Sequence, residues 1–164
     1  MAAALLALPL VAMPFTREVQ WGLEDFAIIG TMLLAVCGAY ELAVRMSGSR
    51  ATRVATLIAA VGAFLLIWVN LAVGIIGDED NALNAVYLGV LAVLIGGALL
   101  AWGQARQMVW VMAAAALTQA AAGVVALANG YVTLPIEGFF IALWLGSARL
   151  FYEAGKVTRS PSPE

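Results

Sequence analysis

Five apolar runs, each close to 20 residues long, restrict what this chain can fold into. A helix needs about 20 mostly apolar residues to cross about 30 Å of bilayer hydrocarbon. None of the runs alternates with a period of two over ten residues, as the strands of an outer-membrane barrel do. The sequence therefore predicts an all-α, polytopic transmembrane helical bundle of about five spans, at residues 26–44, 54–76, 85–102, 108–128 and 131–152.

The composition supports lipid as the solvent and narrows the possible chemistry. Hydrophobic residues make up 64% of the chain and charged residues 11%, against about 45–50% and about 25% in soluble domains. The net charge of −2 gives no general attraction to nucleic acid. The chain has no histidine and one cysteine, Cys37, which argues against haem, most zinc sites and His-activated nucleophiles. We therefore expect no catalytic residue, metal site or cofactor, and a protein that is not an enzyme.

The links between the runs are short, and their charges predict the sidedness of the chain. Residues 45–53 and 103–107 carry arginine, whereas residues 77–84 are acidic. If residues 45–53 are cytoplasmic, most cations fall on that side and only Arg17 lies outside. The positive-inside rule then predicts an outer N-terminus and a cytoplasmic C-terminus. The cytoplasmic cations would be Arg45, Arg50, Arg53, Arg106, Arg149, Lys156 and Arg159.

Both ends of the chain fall outside the predicted bundle, which covers residues 16–152. Residues 1–15 are apolar but too short to span the bilayer, and prolines interrupt them. Three interpretations stay open: an interfacial segment, a signal-like leader, or an over-long start with Met13 as the true first residue. Residues 153–164 end in SPSPE and are predicted to form a disordered cytoplasmic tail.

Two amide side chains lie inside predicted spans, where an unpaired polar group is costly. Asn70 lies in the second run, and Gln119 lies at the middle of the fourth run between Ala115 and Gly123. Either side chain would suit a polar path through the bundle. The preferred interpretation for both is an interhelical hydrogen bond, worth about 0.6–2 kcal/mol.

Glu41 lies one turn before the end of the first run. Arg45 follows four residues later, in the favourable order for a helical ion pair. Arg149, near the end of the fifth run, is another possible partner. An interfacial salt bridge is preferred here over a proton-coupling carboxylate, which would lie nearer the midplane.

Acidic and amide residues are predicted to cluster on the outer side of the membrane. Glu137 is a candidate intramembrane polar position near the outer end of the fifth run, and it is grouped with Glu24 and Asp25 and with the segment at 77–84. Carboxylate and amide oxygens suit a hard cation, but the spacing is not that of a calcium loop. The preferred interpretation is an acidic loop in which Asp80 or Asn81 caps the third helix. The candidate loop positions are Asp78, Glu79, Asp80, Asn81 and Asn84.

Small residues recur at helical spacing on two runs and predict close helix packing. Such ridges let helices approach closely where hydrophobic exclusion cannot drive association. They are expected to serve either the bundle itself or a homo-oligomer or larger membrane complex. The ridges are Gly89, Gly96 and Gly103 on the third run, and Gly138, Ala142 and Gly146 on the fifth.

Two stretches of the sequence resemble a group of small multi-span bacterial inner-membrane proteins. They read WVNLAVGIIGDEDNALNAVYLGV from Trp68 and GFFIALWLGSARLFYEA from Gly138. The similarity covers Thr16 to about Ala154, and such relatives tend to begin near the position of Met13. No activity comes with this resemblance, so it implies location. It directs attention to Asn70, Glu79, Asn81 and Asn84.

Three classes of function can be weighed against the sequence. A non-catalytic accessory, assembly or scaffold subunit fits the short loops, the small-residue ridges and the absent chemistry. A small transporter or channel, possibly a homodimer, would bring Asn70, Gln119 and Thr118 to a cavity. A membrane protease is disfavoured because paired aspartates, a Ser-His pair and an H-E-x-x-H motif are missing.

Overall fold

The computed structural model describes residues 22–46 and 49–157. Within these residues, five helices are long and apolar enough to cross a bilayer, so the predicted all-α multi-pass bundle is confirmed. A 3-10 turn, Ala82–Ala85, leads into the third helix. The helices are α1 (Leu23–Met46), α2 (Arg50–Ala72), α3 (Val86–Ala101), α4 (Ala105–Ala128) and α5 (Leu134–Val157).

The helix ends differ from the predicted runs by up to five residues. α1 and α4 extend beyond their runs, α3 lies within its run, and α2 and α5 are shifted along theirs, so that residues 73–76 and 131–133 are not helical. Ser49 caps α2 because its side chain accepts a hydrogen bond from the backbone N–H of Thr52, so this helix starts before the apolar run. α5 continues to Val157, so the first five residues of the predicted tail are helical. Residues 158–164 and the apolar segment 1–15 lie outside the described residues.

The helices pack in the order α1, α2, α5, α4, α3. Short links make helices that follow one another in the chain antiparallel. The contact between α2 and α5 joins α1 and α2 to the other three helices. The Ser147 hydroxyl on α5 donates 2.9 Å to the backbone carbonyl of Ala55 on α2, which fixes this contact. α1 packs principally on α2 and buries only Ile29 and Ala43, so it stands at the edge of the bundle.

The described charges separate onto two ends of the bundle, as the loop composition predicts. The end where α1 finishes and α2 begins carries Arg45, Arg50 and Arg53, and we call it the basic end. The opposite, acidic end carries Glu24 and Asp25 together with the loop between α2 and α3. The predicted assignment of the basic end to the cytoplasm stays a prediction.

The core is formed where α4 and α5 meet their neighbours. α4, which is rich in alanine, has the largest buried fraction among the five spans. Trp144, Phe140 and Phe151 of α5 are almost fully buried, and Leu66 of α2 packs in the same cluster.

The closest helix approaches use glycines other than those of the predicted ridges. A Cβ atom on Gly62 would lie 2.8 Å from the Trp144 ring, and one on Gly97 would lie 2.6 Å from a Val111 methyl group. A Cβ on Gly123 would lie 2.9 Å from Cγ of Glu137. These three glycines are needed for space.

The predicted ridges do not hold this bundle together. Gly138, Ala142 and Gly146 are exposed on α5, and a Cβ on either glycine would meet nothing within 4 Å. Gly89 allows only an ordinary contact with Thr118, and Gly96 faces open space. Gly103 lies in the turn between α3 and α4 with φ +75°, so it is not part of a helical ridge.

Candidate functional site

A carboxylate buried at the meeting point of three helices is the most unusual chemical feature of the molecule. Glu137 lies in the first turn of α5, and only 3% of it is exposed. Gly123 of α4 provides the room for this side chain. Glu137 was predicted as an intramembrane polar position, and its carboxylate points into the bundle and away from the exposed carboxylates of the acidic loop with which it was also grouped.

Three donors from three parts of the chain converge on this carboxylate. The hydroxyl of Tyr87 on α3 donates to Oε1 over 2.5 Å, and the Thr133 hydroxyl donates to the same oxygen over 3.2 Å. The amide Nε2 of Gln119 on α4 donates to Oε2 over 2.7 Å. Tyr87, Thr133, Gln119 and Glu137 are all buried, so these bonds form away from solvent.

Trp144 sets the orientation of the Gln119 side-chain amide. Its indole N–H can only donate, and it donates to Oε1 of Gln119 over 3.4 Å. The Gln119 amide therefore presents its NH₂ group to Glu137. Both carboxylate oxygens then accept hydrogen bonds, Oε2 from Gln119 and Oε1 from the two hydroxyl groups. We call Tyr87, Gln119, Thr133, Glu137 and Trp144 the Glu137 network.

The Glu137 network has no cation in it. Across residues 22–46 and 49–157, the ion pairs are Arg45 with Glu41 and Arg149 with Glu153. Glu137 is thus held by neutral donors in a packed environment, where hydrogen bonds are stronger than in water. Chemically, such a site can hold a charge or a proton in place, and it links α3, α4 and α5.

A second polar cluster organises the acidic-end loop around Asn84. The Oδ1 atom of Asn84 accepts from the backbone N–H of Ile75 (3.1 Å) and of Ile76 (2.8 Å). Its Nδ2 donates to the backbone carbonyls of Ile76 (3.4 Å) and Asp78 (2.6 Å). One buried side chain thus satisfies four backbone groups of a loop that lacks regular structure.

The amide of Asn70 joins this second cluster and does not face Gln119. Its Nδ2 donates to the backbone carbonyl of Asn84 over 3.3 Å. Its Oδ1 is buried and has no hydrogen-bond partner among the described residues. The predicted interhelical role of Asn70 therefore becomes a contact between α2 and the loop, while Gln119 does bond across helices.

Asn81 caps the entry to α3, as predicted for this position or Asp80. Its Oδ1 accepts from the backbone N–H of Leu83 over 3.0 Å, and its Nδ2 donates to the Tyr131 hydroxyl over 3.2 Å. Gly77 lies against the same pair with φ +74°, and a Cβ there would approach Asn81 within 2.9 Å. This turn therefore requires glycine.

The remaining predicted positions are exposed. Asp78, Glu79 and Asp80 lie on the surface of the loop, and the described part of the chain brings no three His, Cys, Asp or Glu side chains together as a metal site. The Glu41–Arg45 pair forms as predicted, at 2.8 Å, on an exposed face.

The alternative partnership between Arg149 and Glu41 does not form. Arg149 instead pairs with Glu153 on its own helix, at 3.2 Å. Both ion pairs are exposed, so neither contributes much to stability.

Sequence reasoning missed three members of the Glu137 network. Tyr87 and Thr133 lie near span ends, where they look like ordinary interfacial residues, and Trp144 looks like core. Thr133 and Trp144 lie four residues before and seven residues after Glu137, which is the spacing of one helix face, whereas no spacing rule connects Tyr87 on α3 to them. Glu137 itself was a candidate intramembrane position, and an ionisable group there requires partners, so it was the signal that could have led to the other members.

A long apolar groove lies apart from both polar clusters. It has a volume of ≈ 520 Å³ and runs between α1, α2 and α3, with Met108, Met112 and Phe151 closing its inner side. We call it the α1–α3 groove. A second, more open depression of ≈ 380 Å³ lies between α2 and α5, against Leu65 and Phe139. Neither is lined by a residue of the Glu137 network or by Asn70.

Comparisons with protein-family models, with curated proteins and with solved structures find no match to this chain. The resemblance to small bacterial inner-membrane proteins therefore stays a prediction from sequence.

Proposed function

We propose that this multi-pass membrane protein is a non-catalytic accessory, assembly or scaffold subunit of a larger membrane complex or homo-oligomer. The observation that carries the proposal is the state of its intramembrane polar groups. Gln119 and Glu137 are buried in mutual hydrogen bonds, and neither lines the α1–α3 groove or the depression between α2 and α5. A transport path would expose such groups to a water-filled space.

An outward-facing row of small residues supports association with another membrane protein. Gly138, Ala142 and Gly146 are exposed on α5, and the intrachain packing leaves them uncovered. Backbones approach closely at such rows, which is how transmembrane helices associate without a hydrophobic driving force. A second helix against α5 is the geometry that this row would accept.

Affinity purification in mild detergent tests the subunit proposal. The full chain carrying a C-terminal tag should elute with a defined stoichiometric partner, or as a discrete oligomer of itself. Ala142→Leu and Gly146→Leu should weaken that association, while Ala121→Leu on the exposed face of α4 should leave it unchanged. The proposal would be contradicted if the chain were crosslinked in native membranes, extracted, and still eluted alone as a monomer.

A small transporter for an ion or solute is the second candidate, favoured by the burial of Glu137. An ionisable group inside a span is a functional-site hypothesis by default. In this reading Glu137 exchanges a proton while Tyr87 and Gln119 keep the carboxylate in place. Flux measured in proteoliposomes and abolished by Glu137→Gln would support it, provided that the variant remains folded. Intact partner binding in the same variant would favour the subunit reading.

We further propose that the protein resides in a bacterial inner membrane with its basic end in the cytoplasm. The support is the separation of arginines from the acidic loop across the bundle, which follows the positive-inside rule. Reporters fused after Glu164 and inserted in the 77–84 loop should report cytoplasmic and periplasmic positions, respectively. The reverse result would contradict this orientation.

A further inference from the structure

We propose that the α1–α3 groove binds one acyl chain of an anionic phospholipid, with the headgroup at the basic end. The groove is lined along α1 from Thr31 to Met46. At 1.5 Å per residue this is a length of about 22 Å. One leaflet of hydrocarbon is about 15 Å thick, so the groove accommodates a chain that enters from one interface.

The dimensions of the groove suit an acyl chain. Residues of α1, α2 and α3 line it over about four turns of α1, and its volume is ≈ 520 Å³. A narrow, flexible hydrocarbon chain fits along such a groove.

The lining of the groove is apolar and adaptable. No charged residue lines it, and its walls are built from small residues such as Ala39 and Ala60. Four methionines, which adapt to irregular shapes, border it: Met32, Met46, Met108 and Met112. Water does not occupy an apolar space of this kind, so hydrocarbon is the occupant that the surrounding membrane supplies.

The charge at one end of the groove selects an anionic headgroup. Met46, Thr52 and Gly103 line the groove at the basic end, where Met46 and Gly103 are in contact. Arg50 and Arg106 lie within three residues of these positions and are exposed. Among the described residues, the carboxylates at this end are Glu41 and Glu153, and each already pairs within its own helix.

Arg50 and Arg106 form no ion pair within the described chain, and clusters of cations at the end of a transmembrane bundle attract anionic lipid. Arg45 and Arg53 add positive charge at the same end. One phospholipid can therefore make both interactions, because its acyl chain lies in the groove while its phosphate lies beside the arginines.

Native mass spectrometry of the full chain in detergent tests the proposal with phosphatidylglycerol and phosphatidylcholine as probes. We expect one phosphatidylglycerol per chain, bound about tenfold more tightly than phosphatidylcholine. Ala39→Phe and Ala60→Phe, on opposite walls of the groove, should each weaken binding of both lipids about tenfold. The control Ala121→Phe adds the same ring on an outward face of α4 and should bind as the wild type does.

Charge variants separate the headgroup from the acyl chain and leave the core untouched. The double variant Arg50→Gln with Arg106→Gln should lose the preference for phosphatidylglycerol and still bind phosphatidylcholine. Lys156→Gln, which removes one charge from the same end, should retain the preference. Equal binding of the two lipids by the wild type would overturn the proposal, as would undiminished lipid binding in both phenylalanine variants. A homodimer that dissociates when the groove is filled would assign the groove to a second copy and also overturn it.

Discussion

The carboxylate of Glu137 accepts a 2.7 Å hydrogen bond from the side-chain amide of Gln119, which lies 18 residues earlier in the chain. This contact joins α4 to α5 inside the bundle, and Tyr87 and Trp144 extend it to α3 and along α5. Two polar side chains that would each be costly alone in hydrocarbon thus satisfy one another. The same contact makes the network sensitive to the loss of any one member.

Gln119→Leu should destabilise the bundle by about 1–3 kcal/mol, because it leaves buried Oε2 of Glu137 and Nε1 of Trp144 without partners. Thermal or denaturant unfolding in detergent micelles measures the change. Gln107→Leu is the matched control, since Gln107 lies on the same helix but is exposed. An unchanged midpoint for Gln119→Leu would contradict the network.

Tyr87→Phe should cost about 1–3 kcal/mol, because it removes a hydroxyl donor from the buried carboxylate while keeping the ring. A double-mutant cycle with Glu137→Gln should give a coupling energy above about 0.5 kcal/mol, as expected for residues in direct contact. Tyr152→Phe, at an exposed position of α5, should leave stability within about 0.5 kcal/mol. Additive effects at positions 87 and 137 would show that the contact has no energetic weight.

Asn84→Leu should release the acidic-end loop, because four backbone hydrogen bonds to Ile75, Ile76 and Asp78 depend on this side chain. Amide hydrogen exchange at Ile75 and Ile76 should become faster, while exchange in α4 remains slow. Asn129→Leu provides a control, since its exposed side chain bonds only to the carbonyl of Val125. Unaltered exchange at Ile75 and Ile76 would show that the loop is held by other contacts.

Gly62→Ala and Gly138→Ala should have opposite effects on stability. A methyl group at position 62 would meet the Trp144 ring, whose rigid shape resists displacement, so a loss of about 1–3 kcal/mol is expected. A methyl group at position 138 meets nothing within 4 Å and should stabilise the helix by up to about 1 kcal/mol. The free energy of unfolding in detergent distinguishes the two variants. Equal effects would show that the approach of Gly62 to the Trp144 ring does not limit stability.

The extent to which the site was predictable follows from the separation of its members along the chain. The helical ion pair of Glu41 with Arg45 and the capping role of Asn81 are local, so four-residue spacing and turn chemistry predict them. The partner of Gln119 was not predictable, because any of four other helices was available. Glu137 was predicted as an intramembrane polar position, but its partners were not, because position along a run does not reveal which face of the helix is buried.

The sequence by itself determines the class of fold. Apolar runs of the length of a bilayer must satisfy their backbone groups internally, and short links between them force antiparallel packing. Only the tertiary structure decides which helix faces meet. Space at Gly62 and Gly123, and the convergence of three donors on Glu137, depend on contacts between distant residues. In a chain that is apolar on nearly every face, periodicity cannot single out the buried one, and packing must select it.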